Sequence, residues 1–153
     1  MGMFLSLDTS SSALSAFRQK MDVVANNIAN VNTTRTPEGG AYKRQRVIFE
    51  PRDTKVRYKS PFLPNLLKPV IGQGVRVLRV EKDEAPFKLV YDPTHPDAYK
   101  TGPKAGYVEM PNVSVVSEMT DMIAVTRSYE ANATMIENAK SMFNSALQIG
   151  RFQ

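Results

Sequence analysis

His95 is the single histidine of this chain, and it stands between Asp92 and Asp97. An imidazole between two carboxylates has the donor set of a divalent metal site or an acid–base pair. Pro93 and Pro96 interrupt the same stretch. Prolines at that spacing point instead to a turn, where short polar side chains bond their own backbone. Other catalytic handles are weaker still. Periodicity places no serine near this turn, so no nucleophilic triad can be argued. Gly72-Gln73-Gly74 is too short to cradle a phosphate. The chain has no cysteine, which excludes disulfides and thiolate chemistry. The expectation is a protein that is not an enzyme and uses no cofactor and no metal.

A second chemistry is suggested by Lys43-Arg44-Gln45-Arg46, followed by Arg52, Lys55, Arg57 and Lys59, with Tyr42, Phe49 and Tyr58 among them. Cations interleaved with aromatics suit single-stranded nucleic acid. The plainer account is a solvated strand face and loop, or contact with acidic neighbours, so no nucleic-acid partner is expected. The net charge of +5 is unevenly placed: residues 35–104 hold fifteen basic and eight acidic groups, whereas residues 105–153 hold three and five. The surplus belongs to the middle of the chain.

The elements that carry these residues follow from proline. All ten prolines lie between Pro37 and Pro111. On either side run apolar residues at steps that alternate three and four. The first series is Leu7, Ser10, Leu14, Phe17, Met21, Val24, Ile28 and Val31. The second is Met122, Val125, Tyr129, Asn132, Ile136, Ala139, Phe143 and Ala146. Such alternation is a heptad seam. The predicted fold is α+β, with long N- and C-terminal helices pairing as a coiled coil and a small β-rich inserted domain. The predicted boundaries are 1–36 for the first helix, 37–111 for the insert and 112–153 for the second helix. Residues 8–12, rich in Ser and Thr, predict an N-cap; Thr33 to Pro37 predicts the end of that helix. Strands are predicted over 42–49, 75–82, 86–91 and 107–110, with valines at period two in the second. Residues 51–70 predict an extended proline-rich loop. Ser114, Ser117 and Glu118 predict the start of the second helix, and Gly150 its end. No stretch approaches the roughly 20 apolar residues of a transmembrane helix, so no membrane insertion is expected. Residues 1–7 hold no Lys or Arg, and residues 3–5 are too short an apolar run for a signal peptide, so any export is expected to proceed without cleavage.

Four of the seven residues from Asn26 to Asn32 are asparagine, a mediocre helix former. Asn27 and Asn30 border the first seam and Asn132 falls within the second. Buried amides there would bond across packed helices and set their register at a cost in stability. The seams gain most of their stability from packing. The candidate functional residues are therefore those of an assembly interface: Leu14, Phe17, Met21, Val24, Asn27, Ile28, Asn30 and Val31, against Met122, Val125, Tyr129, Asn132, Ile136 and Phe143.

The segment Val24-Ala25-Asn26-Asn27-Ile28-Ala29-Asn30-Val31-Asn32-Thr33 resembles the N-terminal signature of the bacterial flagellar axial proteins, the rod, hook and hook-associated subunits. Residues 87–98, 106–113, 118–124, 127–132 and 139–151 resemble the proximal-rod members of that family. The resemblance covers the whole chain, apart from residues 51–74, which match no pattern. It implies a structural subunit of the proximal rod that assembles helically and transmits torque across the periplasm. The implied partners are the chain itself, other rod subunits, the adaptor between rod base and MS ring, and the flagellar type III export apparatus. It also implies an inner coiled-coil layer of terminal helices and an outer β domain. A sister rod subunit, or a soluble oligomeric binding module using the basic insert, are the alternatives.

Overall fold

The computed structural model describes residues 2–52 and 74–151. In chain order these are helix α1 (Gly2–Ala29), strands β1 (Gln45–Pro51), β2 (Val75–Lys82), β3 (Lys88–Tyr91) and β4 (Tyr107–Met110), and helix α2 (Val115–Arg151). The class is α+β. The loop expected over 51–70 lies almost wholly outside the described residues.

The two helices pack antiparallel. Asn27 of α1 meets Glu118 of α2, Met21 meets Thr126, and Leu7 and Ser10 share a cavity with Met135 and Met142. Ala16, Val23, Val24 and Val125 are buried between the elements. Small β-branched and alanine side chains let the backbones approach, and their burial is non-directional.

α1 starts earlier than residues 8–12 predict. Those hydroxyls do not cap the helix but bond backwards along it: Thr9 Oγ1 donates to Leu5 O (2.8 Å) and Ser12 Oγ to Thr9 O (2.7 Å). Serine and threonine inside a helix take this option when tertiary packing holds the helix against their weak propensity. α1 also ends sooner than predicted. Val31 N–H donates to Ile28 O and Thr33 N–H to Asn30 O, the tighter three-residue spacing of a fraying end. Val31, expected as the last seam residue, thus lies in a turn beyond the helix. Gly150 keeps helical backbone inside α2 instead of adopting the left-handed conformation of a helix stop.

The strands form two separate antiparallel pairs, β1–β2 and β3–β4. β2 matches its predicted span, but its valines are not at period two throughout. Val75 and Val77 are followed by Val80, and the register jumps so that Phe49 pairs with Val77 and Ile48 with Arg79, leaving Leu78 as an extra residue. This bulge restores all three valines to one face, with Val47 and Phe49. That face meets α1, where Phe17 and Phe49 pack edge to face at 6.3 Å. β1 begins three residues later than predicted, because residues 42–44 serve the polar cluster described below. In the second pair, Tyr91 and Tyr107 are cross-strand partners with rings 5.2 Å apart. Gly106, at φ +81°, makes room for Tyr91: a Cβ there would sit 2.8 Å from the ring.

Candidate functional site

Among the described residues the most buried polar ones are Glu118, with no exposure, and Asn27, at 1%. They touch each other in the angle between α1, the start of β1 and the first turn of α2. Asn27 satisfies both ends of its amide. Nδ2 donates to Gln45 O (2.9 Å) and to Glu118 Oε2 (3.0 Å). Oδ1 accepts from Gln45 N (2.9 Å) and from the Tyr42 hydroxyl (3.0 Å). Glu118 Oε1 accepts from Arg44 Nε at 2.6 Å, and Arg44 Nη2 reaches Asp121 at 3.4 Å. The Arg44 backbone N–H in turn donates to Asn112 Oδ1 (2.8 Å). Burial pushes the Tyr42 hydroxyl above its ordinary pKa, and the Glu118 carboxylate adds to that rise. A fully bonded cluster of this kind rigidifies its surroundings, whereas a missing member leaves buried groups unpaired.

Asn27 is the one asparagine of the three candidates that bonds across elements. Asn30 Nδ2 donates to Asn26 O and its Oδ1 accepts from Thr33 Oγ1, so it closes the end of α1. Asn132 Nδ2 donates to Ser128 O one turn back in its own helix. The expected cross-helix role therefore does not extend to these two amides. Both have a carbonyl of their own helix within reach, and no buried partner competes for it.

The sequence offers Glu118 only as part of the start of the second helix and Arg44 only as part of a basic run; the structure pairs them. A signal was present: stepping back four residues from Met122 continues the seam to Glu118. A charge at a seam position marks a buried polar contact. Ser12 is a second buried polar anchor. Its Oγ accepts from Val75 N (3.1 Å) and holds β2 to α1.

The seam residues are unevenly covered. Val24 and Val125 are buried, and Leu14, Phe17, Met21, Ile28, Met122, Tyr129 and Ile136 are half-buried. Phe143 is 43% exposed. Counting along both helices from the Asn27–Glu118 contact, Gly2, the first described residue of α1, falls level with Phe143. Two apolar groups on α2 remain exposed, the second of them bordering the cavity that Met135 and Met142 share with Leu7 and Ser10 of α1. Val116 (76% exposed), Met119 and Ile123 recur at steps of three and four near its start. Met135, Met142 and Ile149 (75% exposed) recur every seven residues toward its end.

Several cations of the middle segment are already paired: Arg76 with Glu50 (2.7 Å), Lys104 with Glu109 (3.0 Å), and Lys82 with Glu38, whose carboxyl is held below its ordinary pKa by that contact. Lys55, Arg57, Tyr58 and Lys59 lie outside the described residues. Asp92 and His95 are occupied within their turn, and Asp97 is held by Thr34 from outside it. Asp92 Oδ1 accepts from the Thr94 N–H and hydroxyl, His95 Nδ1 accepts from Asp97 N, and Asp97 accepts from Thr34 Oγ1.

The two helices are also where known families match. Residues 7–35 match the family described as flagella basal body rod protein. Residues 104–149 match the C-terminal region described as flagellar basal body rod FlgEFG protein. Among curated proteins, the flagellar basal-body rod protein FlgC of Borreliella burgdorferi is 56% identical over 149 residues, covering 97% of this chain and 98% of that protein. FlgC of Bacillus subtilis is 41% identical over 97% of this chain and 98% of its own length. FlgC of Escherichia coli O157:H7 is 35% identical over 94% and 95%. Identity at that level over nearly the whole of both chains establishes that this chain belongs to the FlgC family of flagellar basal-body rod proteins, as a structural subunit of the rod and not an enzyme.

Proposed function

We propose that this subunit extends the rod by head-to-tail contacts through the two apolar groups of α2, with the α1–α2 seam as the coiled-coil layer of each subunit. The carrying observation is that the two groups differ. One lies near the start of α2 and the other toward its end, about 35 Å apart centre to centre at 1.5 Å per residue, and roughly a third of a turn around the helix from each other. A contact joining one group to the other uses two different surfaces, so it is heterologous rather than the self-matched contact of a two-fold dimer. Repetition of such a contact makes an open helical assembly. The uncovered apolar area supplies the driving force, since scattered exposed residues need no explanation but stripes at helical spacing do.

On this reading the seam residues Leu14, Phe17, Met21, Val24, Ile28, Met122, Val125, Tyr129, Ile136 and Phe143 stiffen the shaft that carries torque across the periplasm. The β1–β2 and β3–β4 pairs form the outer part. The partners are other copies, sister rod subunits and the adaptor between rod base and MS ring. The subunit reaches them through the flagellar type III apparatus without cleavage.

The test is complementation of cells lacking this chain. Wild-type protein restores complete basal bodies by electron microscopy. Ile149→Asp is expected to leave the purified subunit's helical content unchanged and to yield rings with an incomplete rod. Complete rods and normal swimming with Ile149→Asp would refute the contact.

A further inference from the structure

We propose that the Asn27–Glu118–Arg44 cluster sets the register of α2 along α1, and so keeps the last two turns of α2 uncovered. The seam alone selects a register weakly. It repeats every seven residues, so sliding α2 by one repeat, about 10 Å, returns seam positions of the same kind to α1. α2 has 37 residues and α1 has 28. The excess lies at one end: Gly2 falls level with Phe143, and residues 144–151 extend past it. Sliding toward that end would cover Phe143 and Ala146 and uncover Met122, so the apolar contact exchanged is nearly even and does not choose between the registers. Sliding the other way is closed off, because one repeat before Glu118 is Pro111, which lies outside the helix.

The polar cluster breaks this degeneracy because it does not repeat. One repeat after Glu118 is Val125. In the shifted register Asn27 Nδ2 and Arg44 Nε would meet an isopropyl group in place of a carboxylate. Asn27 would be left with a buried unpaired donor, and the near-even exchange of apolar contact does not offset that cost. A single buried polar side chain fixing the register of a heptad pair is the best-attested role for such groups. The cluster also ties the choice to the strands. Asn27 bonds both backbone groups of Gln45, and Arg44 bonds Asn112 just ahead of α2. The register is thus read against the start of β1. Its consequence for assembly, that Leu147 and Ile149 stay free for a neighbour, rests on the contact proposed above; the register claim does not.

The chain has no cysteine, so engineered pairs report register cleanly. Met21→Cys with Thr126→Cys marks the observed register, since Met21 Sδ and Thr126 Oγ1 lie 3.8 Å apart. Met21→Cys with Ala133→Cys marks the register shifted by one repeat. A short thiol cross-linker is applied to the dilute full-length subunit. With the cluster intact, only the first pair is expected to link. With Asn27→Leu and Glu118→Leu together, both polar partners are replaced by apolar ones, and the ratio of shifted to observed product is expected to rise at least about tenfold, the equivalent of roughly one buried charged hydrogen bond. An unchanged ratio at unchanged helical content overturns the proposal. Should the double variant lose helicity, Glu118→Ala in the same two backgrounds carries the test, since it removes the acceptor of Asn27 Nδ2 from the observed register, and an unchanged ratio there overturns it equally. Because cross-linking is read on the monomer, failure of the Ile149→Asp result leaves the register result standing.

Discussion

Asn27→Ala should destabilise the subunit far more than the same change at either other asparagine singled out by the sequence. Asn27 makes four hydrogen bonds, and its loss strips one partner each from Glu118 Oε2, the Tyr42 hydroxyl, Gln45 N and Gln45 O. Glu118 has no exposure, so water cannot replace the lost donor without opening the cluster. Counting two of the four groups as truly unpaired, at about 1–3 kcal/mol each, gives a loss centred near 4 kcal/mol. Alanine recovers roughly 0.7 kcal/mol as the better helix former, leaving about 3 kcal/mol net. Against a total of about 5–15 kcal/mol this is a large fraction. The assay is urea denaturation of dilute full-length subunit followed by far-UV circular dichroism. At a slope of about 2 kcal/mol per molar, the midpoint should fall by roughly 1.5 M. Asn132→Ala removes only a bond within α2, offset by the same helix propensity, and Asn30→Ala removes only exposed bonds in the turn that closes α1, so each should shift the midpoint by less than about 0.3 M. A midpoint for Asn27→Ala within that same margin would refute the account of the cluster.

Two further outcomes follow from local geometry. Gly74→Ala would drive a Cβ into Ser12 Oγ at a backbone φ of +102°, so it should cost about 2 kcal/mol or more by urea denaturation and loosen β2 from α1, whereas Gly39→Ala, with nothing near its Cβ, pays only the φ term and should cost less. Asp92 has its pKa lowered chiefly by the Thr94 hydroxyl and N–H, with His95 contributing; a depressed carboxylate stabilises the turn above its unfolded pKa, and that contribution is lost as pH falls through the folded value, below the usual 3.8. Thr94→Val should move the Asp92 titration, read by NMR of its side chain, back up toward 3.8, and an unmoved titration would contradict the assigned cause.

The helices and strands were legible because each depends on residues close in sequence. Apolar steps of three and four mark α1 and α2, valine-rich runs mark β2 and its neighbours, and prolines confine both helices to the ends. Family membership was legible for the same reason, in short runs such as residues 24–33. Element ends were less so. Residues 8–12 carry cap chemistry, yet packing against α2 and β2 keeps them inside α1, since a buried Ser12 gains its partner, Val75 N, from 63 residues away. The bulge at Leu78 was hidden because only the pairing with β1 shows which valines share a face.

What the sequence by itself determined is the periodic part of this protein: two terminal helices with apolar residues at heptad steps, strands in the middle segment, and a place among flagellar rod subunits. What only the tertiary structure decided is which polar residues matter. Asn27, Asn30 and Asn132 are the same amide beside the same kind of seam. Asn27 alone lies within reach of a carboxylate 91 residues away, in a place water does not enter. A hydrogen bond in water is nearly neutral and a buried one missing its partner is not, so the weight of each asparagine is set by burial. Burial is a property of the packed chain, and no spacing rule within either helix contains it.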